Sequence, residues 1–246
     1  MSVAFLSYRR AMANSILNRL QGRSPTEIWR LAILNIRHRI FQLSPAARSA
    51  IASDRAFDRR WGTDTSEGQS TRDLGYTGDL LEHSKRYDPS SEEMLRTPVK
   101  ALGLDPGEHD FIDYGAGKGR VLMMAMEMGF RSVTGIELSQ RLCDVAEANL
   151  ARFSAQNPGL KPARIIAANA ATHQPAGTSI VAYFYNPFDA SVMEQVRTCL
   201  EQAVDTGNAR VTVIYVNPEH ETVFSDAPRW IRGPKLRGIA TFSLPH

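Results

Sequence analysis

From residue 109 onward the chain alternates between two kinds of segment. "HDFIDY", "RSVTGIEL", "ARIIAAN", "TSIVAYFYNPF" and "ARVTVIYVNP" read as strands, with "GRVLMMAMEMGF", "SQRLCDVAEANLARF" and "ASVMEQVRTCLEQA" as helices among them. The strands are nearly continuous apolar runs, so both faces of each must be covered. Apolar strands alternating with helices close into a parallel sheet with helices on both sides, an α/β fold. The tail "PRWIRGPKLRGIATFSLPH" reads as a hairpin. With 246 residues, 43% of them hydrophobic, the chain can build one full-sized α/β domain and an appendage.

The appendage is expected at the N-terminus. Apolar residues recur at helical spacing over 3–20 and 25–43, and "SPTE" at 24–27 is a helix start, with Ser24 as cap and Pro25 in the first turn. "SPAA" at 44–47 opens another helix in the same way. Residues 61–80, rich in Gly, Thr, Ser and Asp, read as a long loop of the kind that covers sites, and 88–102 as a helix containing Pro98. This divides the chain into a helical extension or lid over 1–85 and an α/β domain over 86–246. The first 60 residues carry eleven arginines against three acids, a charge of +8, which leaves −5 for the rest of a chain of net charge +3. Such an arm is either a helical cap with a solvated basic face or a docking surface for nucleic acid, anionic lipid or an acidic partner.

Other classes are set aside by what the chain lacks. Cys143 and Cys199 stand far apart, with no metal or redox spacing, and read as small buried residues of a reducing compartment. The six histidines show no ligand spacing, so no metal site is expected. The apolar runs, such as "LAILNI", fall well short of the roughly eighteen residues that span a bilayer. The arginines of "MSVAFLSYRR" follow the apolar residues, the reverse of a secretory leader. A cytoplasmic protein without a transmembrane segment is expected.

The first strand runs into "DYGAGKG", residues 113–119. The dinucleotide fingerprint G-x-G-x-x-G does not fit, because Gly117 and Gly119 have no glycine or alanine three positions on; residue 122 is Leu. The stretch resembles instead the (D/E)-x-G-x-G-x-G motif of class I S-adenosylmethionine-dependent methyltransferases. That resemblance implies a Rossmann-like sandwich, a mainly parallel seven-stranded sheet with helices on both faces, with S-adenosyl-L-methionine as cofactor and S-adenosyl-L-homocysteine as product. It places Gly115, Gly117 and Gly119 against the ligand, Asp113 near its positive charge, and the following helix start near its carboxylate. Glu137, twenty residues after Gly117, stands where the family accepts hydrogen bonds from the ribose hydroxyls. Asn169 and Ala170 stand where the family, usually with Asp, meets the adenine. Tyr87 matches a tyrosine that covers the methionine end in several relatives. Asp113 as a helix cap, Asn169 as a plain turn residue and Tyr87 as a core-packing residue are the competing readings.

The fourth strand ends in "YNPF". With one proline missing, this resembles the (D/N/S)-P-P-(Y/F/W) motif of amine-directed methyltransferases. The resemblance implies that Asn186 and Pro187 hold the acceptor nitrogen, that Phe188 stacks on the acceptor, and that Asn186 also borders the cofactor. Asn186 as cap of the next helix, with Pro187 in its first turn, is the alternative. His173 is a lesser candidate for the pocket wall. The expected activity is in-line methyl transfer to nitrogen of a small molecule. A protein lysine acceptor comes next, then nucleic acid, and last a non-catalytic cofactor-binding scaffold. Pairing of two chains through the N-terminal helices is an open alternative.

Overall fold

The computed structural model describes residues 44–68, 87–207 and 209–245. The expected helices over 3–20 and 25–43, and most of the expected 61–80 loop, lie outside these residues. The chain divides into two compact units, 1–52 and 53–246. Of the first, the described part is the opening of helix α1 (Pro45–Trp61), where the Ala47 N–H donates to Ser44 Oγ at 3.1 Å. Ser44 and Pro45 start this helix as their types dictate.

The second unit follows the alternating plan. Helix α2 (Glu93–Ala101) encloses Pro98 and leads to β1 (Asp110–Tyr114). Then come α3 (Arg120–Met128), β2 (Ser132–Glu137), α4 (Gln140–Gln156), β3 (Arg164–Ala167) and β4 (Ser179–Tyr185). Helix α5 (Ala190–Gly207), β5 (Arg210–Val216), α6 (Thr222–Ser225), β6 (Ile231–Arg232) and β7 (Ile239–Leu244) complete it. Ser139 caps α4 by accepting from the Leu142 N–H at 3.4 Å, as its residue type predicts.

The strands form one seven-stranded sheet in the order β3-β2-β1-β4-β5-β7-β6. The first five pair in parallel and β7 runs antiparallel between β5 and β6, the hairpin expected from the tail. Apolar cores lie on both faces. One holds Tyr114, Phe184, Tyr215, Phe224 and Phe242, and the other Phe111, Leu122, Met123, Tyr183 and Ile214. The burial of β4 along nearly its whole length explains its unbroken apolar sequence. The strand order reverses between β1 and β4, and beyond the carboxyl ends of strands at such a point an open sheet leaves a crevice.

Candidate functional site

The crevice is a cavity of about 900 Å³, of the size that takes a nucleoside-sized ligand. Its floor is the loop after β1. Gly115, Gly117 and Gly119 all have positive φ, at 83°, 55° and 82°. The first two are glycine for a second reason. A Cβ at Gly115 would lie 2.7 Å from the Pro187 ring, and one at Gly117 would lie 2.4 Å from the Tyr87 ring. The Gly115 and Ala116 N–H groups both donate to the Ile136 carbonyl, which folds the loop against β2.

Two carboxylates face this loop. Glu137 is buried at the end of β2, where Oε2 accepts from the Gly117 N–H at 2.9 Å and Oε1 from the Ser139 N–H at 2.8 Å. Asp113 is 3% exposed on the cavity wall, and among the described residues nothing donates a hydrogen bond to it. Burial, and next the Glu137 charge, push its carboxyl well above the ordinary carboxylate value. Asp113 does not cap a helix; α3 begins after Gly119. A buried carboxylate without a cation, beside a second one, is what a positively charged ligand would complete.

The adenine-side candidates sit at the end of β3. Asn169 and Ala170 line the cavity, and Asn169 Oδ1 accepts from the Ala171 N–H at 2.9 Å at the start of a single 3-10 turn. The turn role foreseen for Asn169 is therefore present, while a second lone pair and its amide hydrogens remain. His173 follows that turn and lies edge-on to Tyr114, off the cavity wall.

Tyr87, Asn186, Pro187 and Phe188 surround the opposite end. Asn186 does not cap α5. That helix starts four residues later, and Asp189 caps it by accepting from the Val192 N–H at 3.1 Å. Asn186 instead adopts φ 42°, directly before a proline, and its Oδ1 accepts from the Tyr215 hydroxyl at 3.2 Å. The left-handed region is costly for a residue with a Cβ, and local packing must hold it there. Sequence reasoning missed the same corner one strand over. Asn217 has φ 49°, precedes Pro218, and also lines the cavity. The repeated "Asn-Pro" at two strand ends was the signal.

Also missed was the brace behind the loop. Buried Asn149 accepts from the Asp64 N–H at 2.9 Å and donates to the Asp64 and Lys118 carbonyls. Lys118 pairs with Asp64 at 2.9 Å, and Arg120 pairs with Asp54 at 3.0 Å and stacks on Phe57. Asp58 accepts from Thr63, Thr65 and Ser66; burial opposes its charge, but these bonds prevail and hold its carboxyl below the ordinary value. The Tyr87 hydroxyl then donates to the Thr65 carbonyl at 2.8 Å, which sets its ring over Gly117. Residues 53–66 thus form a strap behind the glycine loop, tied to it by the side chains that alternate with the glycines.

No protein-family model and no curated protein matches this sequence. Among solved structures, a magnesium protoporphyrin IX methyltransferase from Synechocystis with bound S-adenosylmethionine matches at 11% identity, with 63% of this chain and 78% of that one covered and a TM-score of 0.45. An RNA methyltransferase from Salinibacter ruber with S-adenosyl-L-homocysteine matches at 15% identity over 64% and 94%, with a TM-score of 0.44. A ribosomal protein L11 methylase from Lactobacillus delbrueckii subsp. bulgaricus matches at 18% identity over 56% and 70%, with a TM-score of 0.38. The strand order, the antiparallel β7 and the glycine loop after β1 define the architecture without them. The fold is a Rossmann-like α/β sandwich, a mainly parallel seven-stranded sheet with helices on both faces. Among the described residues no helix is long and apolar enough to cross a membrane, and no group of metal-ligating side chains converges.

Proposed function

We propose that this chain is an S-adenosylmethionine-dependent methyltransferase that methylates a nitrogen of a small molecule by in-line transfer. The observation that carries the reading is the buried pair Asp113 and Glu137 above a three-glycine loop, at the sheet's switch point. Asp113 answers the ammonium of the cofactor's amino-acid tail, and Glu137 accepts from its ribose hydroxyls. The loop N–H groups and the start of α3 favour its carboxylate. Asn169 and Ala170 border the adenine, and Tyr87 closes over the methionine end.

The cofactor supplies a methyl already activated by a sulfonium, so the chain's task is alignment. Asn186 Oδ1 and the Pro187 carbonyl accept from the acceptor's N–H and point its lone pair at the methyl, and Phe188 supports a planar acceptor. The buried, unlinked Cys143 and Cys199 suit a cytoplasmic setting.

Calorimetric titration tests this. The wild type is expected to bind S-adenosylmethionine and S-adenosylhomocysteine at micromolar Kd, and Glu137→Ala to weaken both by about tenfold or more, the loss of hydrogen bonds to a charged acceptor. A folded wild type that binds neither ligand would overturn the reading.

A further inference from the structure

The Asn186 amide is held by a residue of the neighbouring strand. Tyr215 lies on β5, in register with Phe184 of β4 and Ala240 of β7, and is fully buried with its ring at 65° to that of Phe184. Its hydroxyl reaches the carboxyl edge of the sheet, accepts from the His220 N–H at 3.4 Å and donates to Asn186 Oδ1 at 3.2 Å. Two residues on, the Asn217 N–H donates to the Gly238 carbonyl at 2.8 Å, so this end of β5 is pinned to β7. On the other side, the Pro187 ring fills the space where a Cβ of Gly115 would be. The Asn186 corner is therefore wedged between the glycine loop and the β5 end, in a conformation it would not adopt alone.

An asparagine carries one oxygen and one NH₂ of almost the same shape, and a half-turn of the amide exchanges them. A phenol has one proton to give. With the His220 N–H on its oxygen, Tyr215 directs that proton to Asn186, and burial, which pushes the phenol up to about 12, keeps the proton in place at neutral pH. The half-turn would forfeit this bond. The amide oxygen is thus fixed, with its second lone pair left over.

We propose that Tyr215 is a positioning residue for the methyl acceptor: its hydroxyl fixes the Asn186 amide so that Oδ1, and not the NH₂, meets the N–H of the acceptor nitrogen. This rests on the methyltransferase reading above and assigns to β5 a part in acceptor recognition that the β4 motif alone does not contain.

The test needs no known acceptor. Sinefungin is the cofactor analogue in which a carbon bearing a primary amine replaces the methylsulfonium. It brings N–H donors to the place where methyl and acceptor nitrogen meet, and S-adenosylhomocysteine brings none. The wild type is expected to prefer sinefungin by about tenfold, the effect of a charge-assisted hydrogen bond. Tyr215→Phe is expected to lose most of that preference with the S-adenosylhomocysteine Kd unchanged. An aspartate shows an oxygen on either branch, so in an Asn186→Asp background Tyr215→Phe should cost nothing. A merely structural tyrosine would weaken both ligands alike and gain nothing from Asn186→Asp. A Tyr215→Phe protein that keeps the full preference, or that loses it equally in the Asn186→Asp background, overturns the assignment. Failure of the folded wild type to bind S-adenosylhomocysteine overturns the methyltransferase reading with it, whereas binding with an unaltered preference overturns the tyrosine's role alone.

Discussion

Asp113→Asn is expected to make the ligand-free protein more stable at neutral pH and to leave it almost blind to S-adenosylmethionine. In the fold the Asp113 carboxyl titrates well above its ordinary value, because burial and then Glu137 disfavour its charge. The unfolded value is about 3.9. Between the two values the folded protein binds more protons than the unfolded chain, so stability falls as pH rises through this window and the full penalty applies above it. Asparagine has the same shape and no charge, so the variant escapes the penalty. Its gain over wild type should be present above the folded titration point and vanish below about pH 4. Each kcal/mol relieved should appear as roughly 2–4 °C in the midpoint for a domain of this size. Ligand binding should run the opposite way. An ammonium against Asp113 favours the ionised form, so the wild type releases a proton on binding and its affinity falls as the carboxyl protonates in acid. Asp113→Asn should lose about a hundredfold in affinity, the cost of an unanswered buried charge, together with the proton release. Calorimetry in buffers of different ionisation enthalpy, with thermal melts from pH 4 to 8, measures both. A variant that is less stable at pH 7 and binds as the wild type does would show that Asp113 faces no cation.

How much of this was legible depended on how local each signal was. The strands, the glycine turn and the Ser139 cap lie within short stretches where periodicity and residue type decide conformation, and they stand where the sequence put them. Glu137 was legible because a strand end at a fixed distance from the loop is still a local fact. Asn186 was ambiguous, since "NPF" before a helix suits a cap; Asp189, three residues on and equally suited, takes that role. The second corner at Asn217 carried the same dipeptide and passed unnoticed because no motif names it. The strap was not legible at all. Asn149 and Asp64 stand 85 positions apart, and Lys118 and Asp64 stand 54 apart. Nothing in "GKGR" says that its two cations hold residues 54 and 64. Composition likewise could not say that no described residue donates a hydrogen bond to Asp113, which is a property of its surroundings and not of its motif.

Gly117→Ala should disable the same site through the opposite wall, and its two penalties can be separated. At φ 55° an alanine meets the left-handed cost of about 1–2 kcal/mol. Its Cβ would also stand 2.4 Å and 2.5 Å from two carbons of the Tyr87 ring, well inside contact. The ring cannot yield cheaply, because its hydroxyl is tied to the Thr65 carbonyl and Thr65 in turn to Asp58. The ring must leave or the strap must lift, and in either case the cavity wall at Gly117 loses the ring that lies on it. Overpacking of this kind costs about 1–3 kcal/mol beyond the backbone term. Cofactor affinity should fall by about a hundredfold, since the Gly117 N–H that braces Glu137 moves with the loop. Urea unfolding of Gly117→Ala, Tyr87→Ala and the double variant checks the division. With the ring gone, Gly117→Ala should cost the backbone term alone, so the double variant is more stable than the two single losses added together. Strictly additive losses would mean that Tyr87 does not rest on the glycine loop, and the cover assigned to it would fall. A recovery of stability without recovery of binding is the expected pattern, because Tyr87→Ala removes the clash and the lid in the same step.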